Sequence, residues 1–170
     1  KDWFQFYRDL GVREEHLSSI IKSFYEHWDK IDPPSMIPHA KEMLYKIETK
    51  IRLDNLSFVS NGASEIIGQM FKRDRIEKYF PLVRTSKSGK ADHLYNLAKE
   101  QPTMLLYVGD LVYDGEECKI ARERGADNLY FKGIIHPYAF NTPHAMKQFV
   151  LQNTDFATTV KSLEELAEEL

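Results

Sequence analysis

Cysteine occurs once in the 170 residues, as Cys118. Neither an intrachain disulfide nor a multi-cysteine metal or iron–sulfur site can therefore form, and the residue is read as a reduced, buried thiol. Positive charge is not in excess either: 23 Lys and Arg stand against 26 Asp and Glu, for a formal net charge of −3. The basic residues Arg8, Lys22, Lys41, Lys72 and Lys99 are scattered, with no arginine-rich arm to track a phosphate backbone, so nucleic acid is not an expected partner. Long apolar runs are missing. The longest, Met104 to Val108, falls far short of the roughly 20 residues of a membrane helix. No apolar stretch follows a basic start, so no membrane contact and a cytoplasmic location are expected. No Gly-x-Gly-x-x-Gly or Gly-x-x-x-x-Gly-Lys-Ser/Thr run follows any candidate strand, which argues against a nucleotide-binding Rossmann domain. Internal repeats and low-complexity segments are absent as well.

What is present is the composition of an ordinary globular domain, since 42% hydrophobic residues suffice for a sizeable core. The first part is helical in pattern. Asp2 to Leu10 is followed by Gly11 as a stop signal, and Arg13 to Trp28 spaces Leu17, Ile20, Ile21, Phe24, Tyr25 and Trp28 by threes and fours. These apolar residues, with Trp3, Phe4, Phe6 and Tyr7, read as helix-packing core. Pro33 and Pro34 break the pattern, which places the boundary between residues 1–34 and residues 35–170.

After that boundary short apolar runs alternate with amphipathic segments, the signature of a parallel sheet with helices on both faces. Strands are expected at Leu56 to Ser60, Leu82 to Thr85, Met104 to Val108, Asn128 to Phe131 and Phe156 to Val160. Helices are expected at Pro38 to Thr49, Ser64 to Lys72, Gly89 to Glu100, Glu116 to Arg124, His144 to Leu151 and from Leu163 onward. The fold class is thus α/β, with a Rossmann-like parallel sheet, flanking helices and a partial α-helical unit before it.

Ligands of open parallel sheets sit beyond the carboxyl ends of the strands. Those ends carry Ser60-Asn61-Gly62, then Lys87-Ser88-Gly89-Lys90, then Gly109-Asp110-Leu111-Val112-Tyr113-Asp114. A hydroxyl beside a glycine can hold a phosphate oxygen, a lysine can neutralise a phosphoryl group, and Asp110 and Asp114 offer hard oxygen ligands to Mg2+. Asp114 would equally suit the start of the following helix, and Lys90 a solvated surface. The six histidines show no metal-ligand spacing.

In these residues the chain resembles the haloacid dehalogenase (HAD) superfamily of phosphohydrolases. Ser60 in Phe-Val-Ser-Asn-Gly is similar to the family's second motif, Lys90 or Lys87 to the third, and Gly109-Asp110-x-x-x-Asp114 to the fourth, in the family's order from about Ile37 to Leu170. The resemblance implies a Mg2+-dependent phosphatase of a small phosphorylated metabolite. Ser60, Lys90 and Asp110 would be its catalytic groups, Ser60, Asn61, Gly62 and Lys90 would hold phosphate, and Asp110 and Asp114 would serve the metal. Residues 1–34 would then belong to a helical cap, with Pro33-Pro34 as its hinge.

One motif does not match. The family's Asp-x-Asp-x-Thr/Val, which supplies the nucleophile at the end of a strand, has no counterpart among these residues. By resemblance that strand belongs between the Ser60 and Asp110 strands. The implied alternatives are a segment outside this sequence, a second copy or a separate chain supplying the strand, or a non-catalytic module that binds a phosphorylated ligand.

Overall fold

The computed structural model describes residues 7–28, 36, 39–51, 55–62, 64–86, 89–135 and 143–170. The aromatic positions 3, 4 and 6, the Pro33-Pro34 joint, Lys87 and the loop at 136–142 lie outside the described residues. The chain divides into two compact units, Lys1–Ser35 and Met36–Leu170.

In the first unit, residues 7–9 are helical and α1 spans Glu14–Trp28. Gly11 adopts φ +82°, a left-handed conformation that glycine tolerates without steric cost, and so ends the preceding turn. Glu14 and Glu15 occupy the first turn of α1, where negative charge is favoured by the helix dipole, and Glu14 pairs with Arg8. Leu17 is fully buried.

The second unit is α/β. Its elements run α2 (Ala40–Lys50), β1 (Ser57–Ser60), α3 (Ser64–Asp74), β2 (Leu82–Thr85), α4 (Ala91–Glu100), β3 (Leu105–Gly109), α5 (Val112–Glu123), β4 (Leu129–Ile134), α6 (Pro143–Gln152), β5 (Ala157–Val160) and α7 (Leu163–Glu169). A 3-10 turn at Glu77–Tyr79 precedes β2. All strand pairings are parallel, as βαβ crossovers require.

The strands form two ladders. β1 pairs with β2, while β3, β4 and β5 pair in that order, and among the described residues no ladder joins β1 to β3. Side chains nevertheless place the two ladders between shared helical layers. Alternation along β3 sends Leu105 and Tyr107 to one face, and Leu106 and Val108 to the other. On the first face they meet Leu94, Cys118, Phe131 and Phe149 from α4, α5, β4 and α6, and Val59 of β1 packs on the same cluster. On the second face Leu106 and Val108 meet Leu163 and Leu166 of α7. Leu163 also packs with Leu56, Met43 and Ile47, while Phe58 meets Phe71 and Phe80 at 5.0 and 5.4 Å between ring centroids. β1 and β3 therefore present matching faces to the same layers without a hydrogen bond between them. Every residue of β1 and β3 is only half-buried, whereas β4, flanked on both sides, buries four of its six.

Two boundaries in the second unit differ from the sequence reading by three residues or more. α5 begins at Val112 rather than Glu116, which puts Asp114 inside its first turn. β4 continues through Lys132 and Gly133 to Ile134, because Gly133 lets Met146 approach: a Cβ there would lie 2.5 Å from the methionine sulfur.

Candidate functional site

The carboxyl ends of β1, β2 and β3 carry the polar residues. Ser60 closes β1, and its Oγ accepts the Gly62 N–H at 3.0 Å in a tight turn. Its carbonyl accepts the Ser86 N–H at 3.0 Å, which ties the exit of β2 to the exit of β1. The Thr85 carbonyl in turn contacts a ring nitrogen of His93 at 3.2 Å. Asp110 directly follows β3 and is half-buried.

The strongest contact joins two of the sequence-predicted residues. Lys90 Nζ donates to Asp114 Oδ1 at 2.5 Å, between side chains that are 12% and 3% exposed. Tyr107 OH donates to the same oxygen at 3.1 Å, and the Leu111 N–H to Oδ2 at 3.2 Å. A buried carboxylate needs several donors of this kind to offset its lost hydration. Lys90 Nζ also stands 5.9 Å from the centre of the Tyr107 ring. Gly109 explains how Asp114 reaches this position: a Cβ at residue 109 would lie 2.5 Å from Asp114 Oδ2 and 2.6 Å from its Cβ. Glycine before Asp110 is thus a packing requirement of Asp114.

Glu117, one turn along α5, is buried, unlike its exposed neighbour Glu116. Its Oε2 accepts the Lys90 and Ala91 N–H groups at 2.5 and 2.6 Å, satisfying two of the orphan donors at the start of α4. Tyr113 bridges outward, with hydrogen bonds to Glu117 and to the Asn61 side chain. Asn61 Oδ1 is buried without a hydrogen-bond partner among the described residues.

Burial and the Asp114 charge drive the Tyr107 hydroxyl well above the ordinary phenol value, so it stays a proton donor. Burial and the hydrogen bond to Glu117 likewise raise Tyr113. Burial pushes the Cys118 thiol up to about 12, partly opposed by Arg122. Cys118 packs in the core and is fully buried, without nucleophilic character.

The structure thus brings Lys90 and Asp114 into contact and connects Asn61, through Tyr113 and Glu117, to the same network. Asp110 and Ser60 stand at the ends of β3 and β1. The alternative lysine, Lys87, is outside the described residues. Tyr107, Tyr113 and Glu117 were not singled out from sequence. Their only local signal is spacing, since residues 114 and 117 share one side of a helix and residue 113 precedes them.

A cavity of about 330 Å3 opens elsewhere, over Leu106, Tyr130 and Lys132 of the three-stranded ladder and Leu166 and Glu169 of α7. Two of its charged residues, Lys132 and Glu169, form an ion pair with each other. No family model and no curated protein sequence matches the chain.

Proposed function

We propose that this chain carries the greater part of a Mg2+-dependent phosphatase of haloacid dehalogenase type, acting on a small phosphorylated metabolite. One observation supports the reading above the rest. A hydroxyl, a half-buried lysine and Asp110 follow the carboxyl ends of parallel strands, with Asp114 in the next helical turn, beside two strands whose facing layers match but whose backbones do not pair among the described residues. Buried N–H and C=O groups require partners, and a further parallel strand between β1 and β3 would supply them.

In this reading that strand comes from outside these 170 residues and carries the attacking carboxylate at its own carboxyl end. The carboxylate oxygen bonds to phosphorus as the ester oxygen leaves in line, and the leaving oxygen takes its proton from a second acid on the same segment. Water then cleaves the acyl phosphate, returning the carboxylate and inorganic phosphate. Lys90 supplies positive charge to the phosphoryl oxygens, and Asp114 with Tyr107 holds it in place. The Ser60 hydroxyl, which uses a lone pair on Gly62, keeps its own proton to donate to a phosphoryl oxygen. Residues 1–34 are assigned in this reading to a helical cap.

The residues fit Mg2+ by donor chemistry. Among the described residues no group of three or more His, Cys, Asp or Glu gathers into a protein cage. Mg2+ is commonly held by one or two carboxylates, with water and substrate phosphate completing its shell. Asp110, directly after β3, would hold it together with Asp114, directly or through water, and the buried Asn61 Oδ1 is a hard oxygen of the right kind. Bound Mg2+ neutralises phosphoryl oxygens as charge develops in the transition state.

The test supplies the strand. A longer form of the protein, or a synthetic peptide of five apolar β-branched residues ending in Asp-x-Asp-x-Thr, should confer Mg2+-dependent hydrolysis of p-nitrophenyl phosphate. Asp110→Asn should then lower turnover by about a hundredfold or more. Unchanged turnover in that variant overturns the metal assignment. Phosphate binding without turnover in the longer protein turns the reading to a non-catalytic phosphate-binding module.

A further inference from the structure

We propose that Glu117 is a positioning residue for Lys90, acting through the backbone at the start of α4. A lysine side chain has four rotatable bonds, so one held at a fixed point needs a fixed Cα as well as a partner for its ammonium. Asp114 supplies the partner. Lys90 is itself the residue before α4, and its side chain makes no capping hydrogen bond to that helix. Glu117 supplies the cap from a different element, 27 residues away, with one carboxylate oxygen on the N–H groups of both Lys90 and Ala91 at 2.5 and 2.6 Å.

Three surrounding features fix that carboxylate. It is on a helix rather than a loop, and it is buried. Tyr113, one turn earlier on α5, hydrogen-bonds to it. Gly89 passes directly beneath it at φ +121°, and a Cβ at that residue would lie 2.9 Å from Oε2 and 3.1 Å from Oε1. The bare backbone of Gly89 lets the loop come close enough for both N–H groups to reach one oxygen. Asp114 and Glu117 thus form a two-point clamp built on a single helix, one carboxylate holding the ammonium of Lys90 and the other its main chain. The clamp also fills the positive end of α4 with the protein's own negative charge. A phosphoryl group in this pocket therefore meets the lysine side chain rather than the helix terminus.

The use of Lys90 on a phosphoryl group rests on the phosphatase reading, whereas the clamp itself does not. The test uses the chain as it stands, without phosphate. Glu117→Ala removes the acceptor, Glu117→Asp keeps the charge but shortens its reach by one methylene, and Glu117→Gln keeps an acceptor oxygen in the same place. Amide exchange at Lys90 and Ala91 should rise about tenfold in the Ala and Asp variants. Acylation of Lys90 Nζ by an N-hydroxysuccinimide ester, followed by mass spectrometry with exposed Lys22 as the internal standard, should rise with it. Glu117→Gln should return both readouts to near the wild-type values. If Glu117→Ala does not fold, Glu117→Asp carries the same expectation.

Unchanged Lys90 acylation in the folded Ala or Asp variant overturns the proposal. So does a rise that Glu117→Gln fails to reverse, or one shared equally by the other buried amides, since either marks a general loss of stability. Inorganic phosphate added to the wild-type chain bears on the phosphatase reading alone: protection of Lys90 supports it, and no protection counts against it while leaving the clamp intact.

Discussion

Asp114→Asn isolates the interaction on which the site depends. In the native protein the Asp114 carboxylate is 3% exposed and meets three donors, the Lys90 ammonium at 2.5 Å, the Tyr107 hydroxyl at 3.1 Å and the Leu111 N–H at 3.2 Å. Asparagine keeps one acceptor oxygen and turns the other position into a donor, so at least one donor is left facing an NH2 group. More costly is the ammonium, which is 12% exposed and loses its counter-charge. Removing one member of a buried ion pair costs about 3–5 kcal/mol. The small exposure of Lys90 lets water reach it, which sets the expectation at the lower end, about 3 kcal/mol. For a chain of this length that lowers the melting temperature by about 6–12 °C.

Both tryptophans, Trp3 and Trp28, belong to the first unit, and the second unit contains none. Urea unfolding of the second unit is better followed by far-ultraviolet circular dichroism. The decisive measurement is a double-mutant cycle with Lys90→Met, which removes the cation and keeps most of the side-chain volume. In that background Asp114→Asn should cost at least about 1.5 kcal/mol less than in the wild type. A cost below about 1 kcal/mol in the wild type, the value of an exposed pair, would refute the buried clamp. Equal costs in the two backgrounds would do the same.

Gly115→Ala sets two effects against each other: alanine favours the helix by about 1 kcal/mol, but its Cβ would lie 2.3 Å from Phe149 Cε1 and 3.0 Å from Phe131 Cε1. Overpacking should win by about 1–2 kcal/mol, and a thermal melt showing a more stable variant would contradict this packing. For Cys118, the stability tied to its raised value is fully present below the ordinary thiol value of 9.0 and is lost as the pH climbs from there towards about 12. Urea titrations at pH 8 and at high pH should show this loss, and Cys118→Ala should reduce it. At pH 8 an aromatic disulfide reagent should label Cys118 only as fast as the second unit opens, so immediate labelling would count against its burial.

Much of the fold was legible from pattern. The run Met-Leu-Leu-Tyr-Val announces β3 because a parallel strand covered on both faces is apolar throughout, and Leu-Ser-Phe-Val announces β1 as a short, mostly apolar run bounded by the turn signal Asn61-Gly62. Lys132 and Gly133 concealed the end of β4, since a charge and a glycine interrupt an apolar run. In the folded protein Lys132 pairs with Glu169, and Gly133 admits Met146. The start of α5 was hidden too. The helix was expected only from Glu116, whereas hydrogen bonds in both directions between Leu111 and Asp114 set its first turn four residues earlier.

The candidate site was legible as a set of strand ends but not as a network. Lys90 and Asp114 are 24 residues apart, and no local rule pairs them. Glu117 carried no signal of its own, since an acid near the start of a helix suits the dipole of any helix. Its partner is the start of α4, which sequence spacing cannot reveal because the contact crosses between helices.

The interruption between β1 and β3 has a mechanical meaning. Backbone hydrogen bonds bind β1 to β2 and β3 to β4 and β5, so among the described residues a pull or a thermal opening that starts in one ladder meets no ladder hydrogen bond into the other. What crosses is side-chain contact: Val59 against the α4 and α5 layer, Leu163 shared with Leu56, and the Tyr113 link to Asn61. Such contacts yield gradually, whereas ladder hydrogen bonds break as a set. The second unit is thus two stiff blocks joined by a soft seam, and the polar residues lie at one end of that seam. A strand that bonds to both edges would turn two cooperative blocks into one, and would fix the spacing of the Ser60 and Asp110 ends in the same step.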